Sequence, residues 1–408
     1  MTKTAERTLS KETAYQAINQ FINEHLAHYQ KLALDIHDHP EVSNYEFYSS
    51  DVLVNQLKAE GFLVVKDVAG HRTGFDARYK AAKPGPTISF LAEFDALPGI
   101  GHACGHNLFG IYSVLAASSL KSLIDEIGGE IRVYGTPGEE GGENGSAKGS
   151  FVREGFFEDV DAALCVHPAH KYGRTTSSLA NDPVDIKFYG RASHAAAAPE
   201  KGISALEALI QTFNGINGLR LYFPKDVNIH GIITDGGVAA NVVPEFASGR
   251  FYLRAANRET LNDVYEKVEN VVKGAALATG ASYEFGLFQN SVDDVVVTPS
   301  FDDIFLQHLS DLDIPTAEIE IDERTSLGSS DVGNVSQVIP TIQPTVSISD
   351  DYIAGHSDEF KVAAKSEKGL ASIAIAAELL ARTAYDLLTD AELLEKIKED
   401  HQYRFNNR

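Results

Sequence analysis

The chain has 408 residues, more than one hydrophobic core usually accommodates, so two domains are expected. Apolar residues make up 43% and charged residues 23%, which is typical of globular proteins and excludes a disordered chain. The 35 basic and 58 acidic side chains give a net charge of −23, which disfavours nucleic acid and anionic membranes as partners.

Nothing in the sequence predicts export or membrane insertion. No apolar run approaches the roughly 20 residues that span a bilayer. The N-terminus is polar and lacks the apolar segment of a secretory signal. The only two cysteines, Cys104 and Cys165, give no disulfide framework. We therefore expect a cytoplasmic protein.

The first half of the chain alternates between helical and strand-like patterns. Apolar side chains at helical spacing predict a helix over 12–38, closed by Pro40, and a second over 47–60. A third helix over 107–127 follows, with Asn107 as its predicted cap. Strands are predicted at 62–68, 87–96, 130–136 and 161–167. Strand, helix and strand in this order predict an α/β sheet with crossover helices.

Residues 183–297 have a different organisation. They carry strands and helices in the order β-α-β-β-α-β, which is the ferredoxin-like split βαβ pattern. We interpret this segment as an α+β domain inserted into a discontinuous first domain of residues 1–182 and 298–408. The first domain is predicted to end in a long Ala/Leu-rich helix over 363–388.

The segment AEFDALPGIGHACGHN, residues 92–107, follows a predicted strand. Open α/β sheets place their ligands at such strand ends. Cys104 and His106 stand two residues apart in a tight loop and can face one point, and thiolate with imidazole is a strong pair for Zn²⁺. Taken alone, the segment is equally compatible with a buried thiol beside two solvated histidines.

Three further strand-end or loop segments offer metal donors. In GTPGEEGGENG, residues 135–145, the side chains of Glu139 and Glu140 diverge, so that one can bind a metal while the other reaches a water. His167 follows the strand at 161–167, with His170 as its competitor. His356 lies in a loop before the last predicted helix. A solvated turn and an isolated loop histidine are the simpler interpretations of the first and last segments.

Together, these residues predict a two-metal hydrolase. Five donors exceed the needs of one catalytic zinc and suit two ions sharing a bridging group. The predicted ligands are Cys104, His106, Glu140, His167 and His356, with Cys104 as the bridge. Glu139 is then available as the general base for water, and Asp95 as the residue that orients a ligand imidazole. The thiolate favours Zn²⁺, with Mn²⁺, Co²⁺ or Ni²⁺ as alternatives.

The ordered motifs resemble peptidase family M20, the aminoacylase-1 and carboxypeptidase-G type metallopeptidases. The likeness lies in the Cys-containing amidohydrolase branch of HmrA-like and p-aminobenzoyl-glutamate-hydrolase-like proteins. It is carried by the two segments above together with FYGRASHAA, HGIITDGGVAANVVP and SSDVGNVSQVIPT. It implies a zinc-peptidase-like catalytic domain with a central mixed sheet, an inserted dimerisation domain and a homodimer.

The resemblance also implies roles for three residues of the inserted domain. His194 matches a histidine that polarises the scissile carbonyl in a neighbouring subunit, and Asn241 and Arg254 match positions linked to substrate carboxylate binding or to its scaffold. The implied reaction is hydrolysis of a dipeptide or an N-acyl amino acid, including aminobenzoyl derivatives.

Two alternatives remain at this point. Cys104 could be a covalent nucleophile with His106 or His102 as its base, which would leave Glu140, His167 and His356 without a role. The chain could also be a non-catalytic peptide or amino-acid binding protein on the same fold.

Overall fold

The structure, a computed structural model, describes residues 10–315, 319–320 and 328–407. The chain divides into two units. The first comprises Met1–Ser177, Val295–Thr325 and Asn334–Arg408. The second comprises Ser178–Asp294 and Ser326–Gly333, a slightly different division from the predicted insertion of 183–297.

A six-stranded mixed sheet forms the centre of the first unit. Its order is β1-β2-β4-β3-β5-β13, with β3, β4, β5 and β13 mutually parallel and β1 and β2 antiparallel to their neighbours. The strands are β1 (Leu63–Val68), β2 (His71–Lys80), β3 (Thr87–Ala92), β4 (Glu130–Gly135), β5 (Ala162–Leu164) and β13 (Thr341–Ile342). A smaller sheet, β12-β7-β14-β6, contains β6 (His167–Ala169), β7 (Tyr172–Gly173), β12 (Ile319–Glu320) and β14 (Thr345–Ser347).

Helices cover this sheet and bury its apolar residues. Ser10 caps the first of them, which buries a stripe from Ala14 to Ile36 at helical spacing. The helices of the unit are α1 (Lys11–Asp38), α2 (Phe47–Ala59), α3 (His106–Ile127), α4 (Ala147–Arg153), α7 (Pro299–Asp311), α8 (Val332–Ser336, which begins within the second unit), α9 (Asp358–Ala363), α10 (Glu367–Thr389) and α11 (Ala391–Asn406).

Helix α3 lies deepest in this core. Within the described part of the chain it is the one helix long and apolar enough to cross a membrane. However, 89% of its most apolar 18-residue window is buried inside the protein. It packs against β3, α1 and α10, so its apolar character is that of a core helix.

The second unit is a four-stranded antiparallel sheet covered by two helices. The chain order is β8 (Ala180–Tyr189), α5 (Ala205–Leu219), β9 (Asn228–Asp235), β10 (Phe246–Ala255), α6 (Arg258–Thr279) and β11 (Ser282–Leu287). The spatial order β11-β8-β10-β9 is that of a ferredoxin-like sheet. Its own apolar core lies between the sheet and α5 and α6.

The structure corrects two of the predicted features and adds elements that were not predicted. Asn107 does not cap α3, because Gly105 occupies the cap position and Asn107 lies in the first turn, donating to Ala33 O and Ala364 O. The predicted helix over 363–388 is preceded by α9 and followed by α11, with Ser366 and Asp390 capping α10 and α11. Strand β2 and helix α4 are additional, because their polar sequences hide the apolar periodicity.

Candidate metal centre

The loop after β3 brings Cys104 and His106 together at the start of α3. Gly105 lies between them with φ 79°, and a Cβ there would meet Pro168 Cγ at 2.5 Å. Only glycine therefore fits this left-handed turn. Cys104 is half-buried and His106 is fully buried.

Asp95 fixes the orientation of the His106 ring. Its Oδ1 lies 3.0 Å from His106 Nδ1, and its Oδ2 accepts a 2.9 Å hydrogen bond from Glu140 N. Burial raises the pKa of Asp95, but the charge and hydrogen bond of His106 outweigh it and hold that pKa below its usual value. Asp95 thus stays anionic, directs Nε2 of the ring inward and joins two of the loops that carry donors.

The Gly-rich loop after β4 carries the glutamate pair, and the two side chains diverge as predicted. Glu140 Oε2 lies 3.3 Å from His356 Nε2, while Glu139 Oε2 lies 4.0 Å from His106 Nε2. Gly138 turns the loop with φ 69°, where a Cβ would collide with the Ser43 side chain.

His167, the first residue of β6, and His356, in a loop before α9, approach from two other parts of the chain. His167 Nε2 lies 3.4 Å from Cys104 Sγ, and its Nδ1 donates to Pro168 O at 2.7 Å, which leaves Nε2 as a donor atom for a metal. Burial, followed by the charge of His106, lowers the pKa of His167 to about 4, so the ring is neutral as a ligand must be. The backbone N–H of His356 donates to Ala103 O, which ties its loop to that of Cys104.

The predicted ligands form two donor groups that share Cys104. One contains Cys104, His106 and His167, the other Cys104, Glu140 and His356, and within each the donor atoms lie within 4.8 Å of one another. Burial and the neighbouring glutamates raise the pKa of the Cys104 thiol, and Glu140 Oε1 is buried without a hydrogen bond to any described residue. A crowded set of soft and anionic donors with unsatisfied atoms fits a pair of divalent cations.

Residues 183–279 match the family model for the peptidase dimerisation domain of M20 proteins. Human Xaa-Arg dipeptidase is 32% identical over 335 residues, covering 81% of this chain and 76% of that protein. The chain belongs to the M20 peptidase family.

Other members agree with that assignment. One of the subunits of the p-aminobenzoyl-glutamate hydrolase of Escherichia coli (strain K12) is 36% identical over 291 residues, covering 66% of this chain and 60% of its own. The crystal structure of Bacillus subtilis YXEP, a dinuclear metal binding peptidase from the M20 family, has a TM-score of 0.62 at 22% identity, covering 90% of this chain and 99% of that one. The predicted α/β fold class is confirmed, and the protein is a metal-dependent amide hydrolase.

Two histidines considered in the sequence analysis belong to neither of the donor groups that share Cys104. His170 packs edge-on against Tyr352, so His167 is the histidine that the structure brings to the other donors. His102 is buried, and burial with the charge of His106 lowers its pKa to about 3. Among the described residues, Cys104 Sγ forms its hydrogen-bond contact with His167 Nε2 and not with His102.

Three residues with M20 roles implied by resemblance lie in the second unit. His194 is exposed, and its Nδ1 accepts hydrogen bonds from Ala196 N and Ala197 N at 3.2 and 3.1 Å. Asn241 is exposed, and its backbone carbonyl accepts from Ala195 N.

Arg254, the third of them, is half-buried on β10. Its Nη1 donates to Ser329 Oγ at 3.0 Å, and its Nε is buried without a hydrogen bond among the described residues. Burial lowers the pKa of this guanidinium below its usual value.

The structure adds three buried charged residues that the sequence did not single out. Glu93 forms a third donor group with His106 and Glu139, and Lys148 Nζ lies 2.8 Å from Glu93 Oε1. Glu46 accepts from Gly138 N at 3.0 Å and from Thr73 Oγ1 at 2.9 Å. The sequence did hold a signal for Glu93, which is an acidic residue at the end of a run of apolar residues in a predicted strand. A charged side chain that is buried there requires a partner.

Proposed function

We propose that the chain hydrolyses the amide bond of a dipeptide or of an N-acyl amino acid, including aminobenzoyl derivatives. Two divalent ions are held by Cys104, His106, Glu140, His167 and His356. The observation that carries this proposal is the presence of Cys104 in both donor groups, which suits a bridging thiolate. A thiolate and three imidazoles favour Zn²⁺ over harder cations, with Mn²⁺, Co²⁺ and Ni²⁺ as alternatives.

Glu139 is proposed as the general base. When bound, a divalent metal pair lowers the pKa of water toward neutrality and polarises the scissile carbonyl. The Glu139 side chain is 12% exposed, so it borders the buried donors while retaining access to solvent. It is therefore placed to take a proton from water and to return it to the leaving amine.

The second unit supplies features that support substrate binding. Because His194 Nδ1 accepts two backbone N–H groups, its neutral ring carries the proton on Nε2, which suits donation to a substrate carbonyl. The unsatisfied Nε of Arg254 suits a carboxylate, and Asn241 is proposed to act with it.

Substrates named for the relatives guide the choice of substrate class. Xaa-Arg dipeptides and p-aminobenzoyl-glutamate both end in an amino acid. The shared element is a free α-carboxylate beside the cleaved amide, and we propose it as the minimal requirement.

We also propose a homodimer in the cytoplasm. Strand β9 is an edge of the second unit's sheet and exposes Ile232 and Ile233, by 64% and 47%. An exposed apolar edge strand favours pairing with a second chain. A thiolate ligand must remain reduced, which favours a cytoplasmic location, where thiols stay reduced.

Replacing Glu139 with Gln tests the chemistry. The variant is expected to retain both metals by elemental analysis while kcat falls by several orders of magnitude on a panel of Xaa-Arg dipeptides, acyl-amino acids and p-aminobenzoyl-glutamate. Near-normal turnover would contradict the role of Glu139. Activity of the wild-type enzyme that survives exhaustive chelation would instead favour the Cys104 nucleophile, and absence of turnover on the whole panel would favour a binding protein.

A further inference from the structure

A buried ion pair lies beside the proposed metal ligands and has no role in the proposed hydrolysis. Glu93 follows β3 and Lys148 lies in α4, and both side chains are fully buried. Glu93 Oε1 and Lys148 Nζ are 2.8 Å apart. Removing two charges from water costs several kcal/mol per ion, and an apolar pair of similar volume often stabilises a core equally well. Stability alone therefore does not account for this pair.

The second oxygen of Glu93 points at a metal ligand. Glu93 Oε2 lies 3.1 Å from His106 Nε2. Because His106 Nδ1 faces Asp95 Oδ1 at 3.0 Å, Nε2 is the ring nitrogen directed at Glu93 and available to a cation. Despite the short distance, His106 Nε2 forms no hydrogen bond with the described residues, so the two atoms are not aligned as donor and acceptor.

Two electron-rich atoms at this separation suit a shared cation. Nitrogen and oxygen donors bind small divalent ions at about 2.0–2.2 Å, which at tetrahedral or octahedral angles separates neighbouring donors by about 3 Å. The Glu93–His106 distance of 3.1 Å meets that requirement, as do the Cys104–His167 and Glu140–His356 distances of 3.4 and 3.3 Å.

The two glutamates near His106 differ in what they can do. Glu139 Oε2 is further from His106 Nε2, at 4.0 Å, and its side chain is partly exposed. Glu93 is fully buried, and Lys148 holds its other carboxylate oxygen. A fixed carboxylate suits metal binding, whereas a partly exposed one suits proton transfer.

We propose that Glu93 is a further ligand of the ion bound by His106 and His167, with Lys148 as the residue that positions its carboxylate. Lys148 fixes one oxygen, directs the other toward His106 and offsets the negative charge that Glu93 adds beside Cys104. This proposal rests on the metal pair of the proposed function.

Zinc binding to the Glu93→Gln variant tests this proposal. The full-length protein is stripped with a chelator and titrated with Zn²⁺ in competition with a chromophoric chelator. The wild type is expected to bind two ions. In Glu93→Gln, the affinity of one ion should fall by at least about 10–100-fold, the loss seen when partners of metal ligands are removed. The affinity of the other ion should not change.

Glu130→Gln is the matched control. Like Glu93→Gln, it removes a buried carboxylate, but Glu130 lies in β4, pairs with Arg132 at 2.7 Å and belongs to none of the donor groups found among the described residues. It should bind both ions as the wild type does. With Co²⁺, the thiolate-to-cobalt band should persist in Glu93→Gln while the ligand-field bands change.

The possible outcomes distinguish an error in the role of Glu93 from an error in the proposed metal pair. Two ions bound by Glu93→Gln with wild-type affinities and an unchanged cobalt spectrum would overturn the role of Glu93 and leave the metal pair intact. A wild-type protein that binds no ion would overturn both. If Glu93→Gln does not fold because Lys148 loses its partner, Glu93→Gln/Lys148→Met removes both charges, and Lys148→Met serves as its reference.

Discussion

At the scale of single residues, the partners of a buried acidic group decide whether its pKa is lowered or raised. Asp95 and Asp302 are both buried aspartates, yet their pKa values shift in opposite directions. Asp95 has His106 beside it, and its pKa is lowered. Asp302 accepts hydrogen bonds from the backbone and hydroxyl of Thr175, and burial raises its pKa to about 7.

The raised pKa of Asp302 predicts a stability change with pH. Its folded-state pKa lies above the unfolded value, so the stabilisation from protonation is fully present below about pH 4 and is lost as the pH rises through 7. The full shift corresponds to at most about 4 kcal/mol. Asp302→Asn keeps an acceptor for Thr175 and cannot ionise, so its free energy of unfolding should exceed that of the wild type at pH 8 more than at pH 5.

Urea unfolding of both chains with the metals chelated measures this difference. Chelation removes the pH dependence of metal binding from the comparison. A difference between Asp302→Asn and the wild type that is the same at both pH values would contradict the assignment.

At the scale of elements, the site is built from loops that fixed strands and helices hold in place. The loop between β4 and α4 bears the proposed base and one ligand, and several of its residues adopt positive φ: Gly138, Gly141, Gly142, Asn144 and Ser146. The loop is held by backbone hydrogen bonds of its own, such as Ser146 N to Gly138 O, and by contacts from outside it. Glu46 provides one of them, accepting from Gly138 N immediately before Glu139.

Removing Glu46 should displace this loop. Burial, with the charge of Asp95, raises the pKa of Glu46 to about 8, so the neutral Gln is a close replacement. Glu46→Leu leaves Gly138 N and the Thr73 hydroxyl without their partner. Each unsatisfied group should lower the free energy of unfolding by about 1–3 kcal/mol. We expect Glu46→Leu to lower kcat at least about tenfold, because a small displacement of a catalytic group has an effect of that size. Glu46→Gln should retain most of the wild-type kcat.

Steady-state kinetics and urea midpoints for the two Glu46 variants make the comparison. Wild-type turnover in Glu46→Leu would show that this hydrogen bond does not position the catalytic loop. An equal loss in both variants would show that the carboxylate itself, and not an acceptor, is needed.

At the scale of the whole molecule, the separate core of the second unit and its exposed strand β9 favour association. Only Ile229 of β9 is buried in the single chain, and the exposed Ile232 lies on the same strand. Covering such an edge with the same strand of a second copy is a common solution for apolar edge strands.

Ile232→Asp should therefore weaken the homodimer and shift the sedimentation coefficient toward that of a monomer. The control is Leu63→Asp, which alters an equally exposed apolar residue, 73% accessible, on the edge strand β1 of the first unit's sheet. It should leave the association state unchanged. A dimer that persists in Ile232→Asp, or a wild-type monomer, would contradict the proposed interface.

The sequence by itself predicted the longer elements of the first unit, the ferredoxin-like segment and the candidate metal donors. Apolar spacing marked α1 and α2, the order of strands and helices marked the second unit, and donors after strand ends marked Cys104 and His167, because these signals are local. Only the tertiary structure showed that Glu93, Lys148 and Glu46 lie around the donor groups that share Cys104. Those relations join residues distant in the chain, and burial, which sets their charges and partners, is a property of the packed molecule.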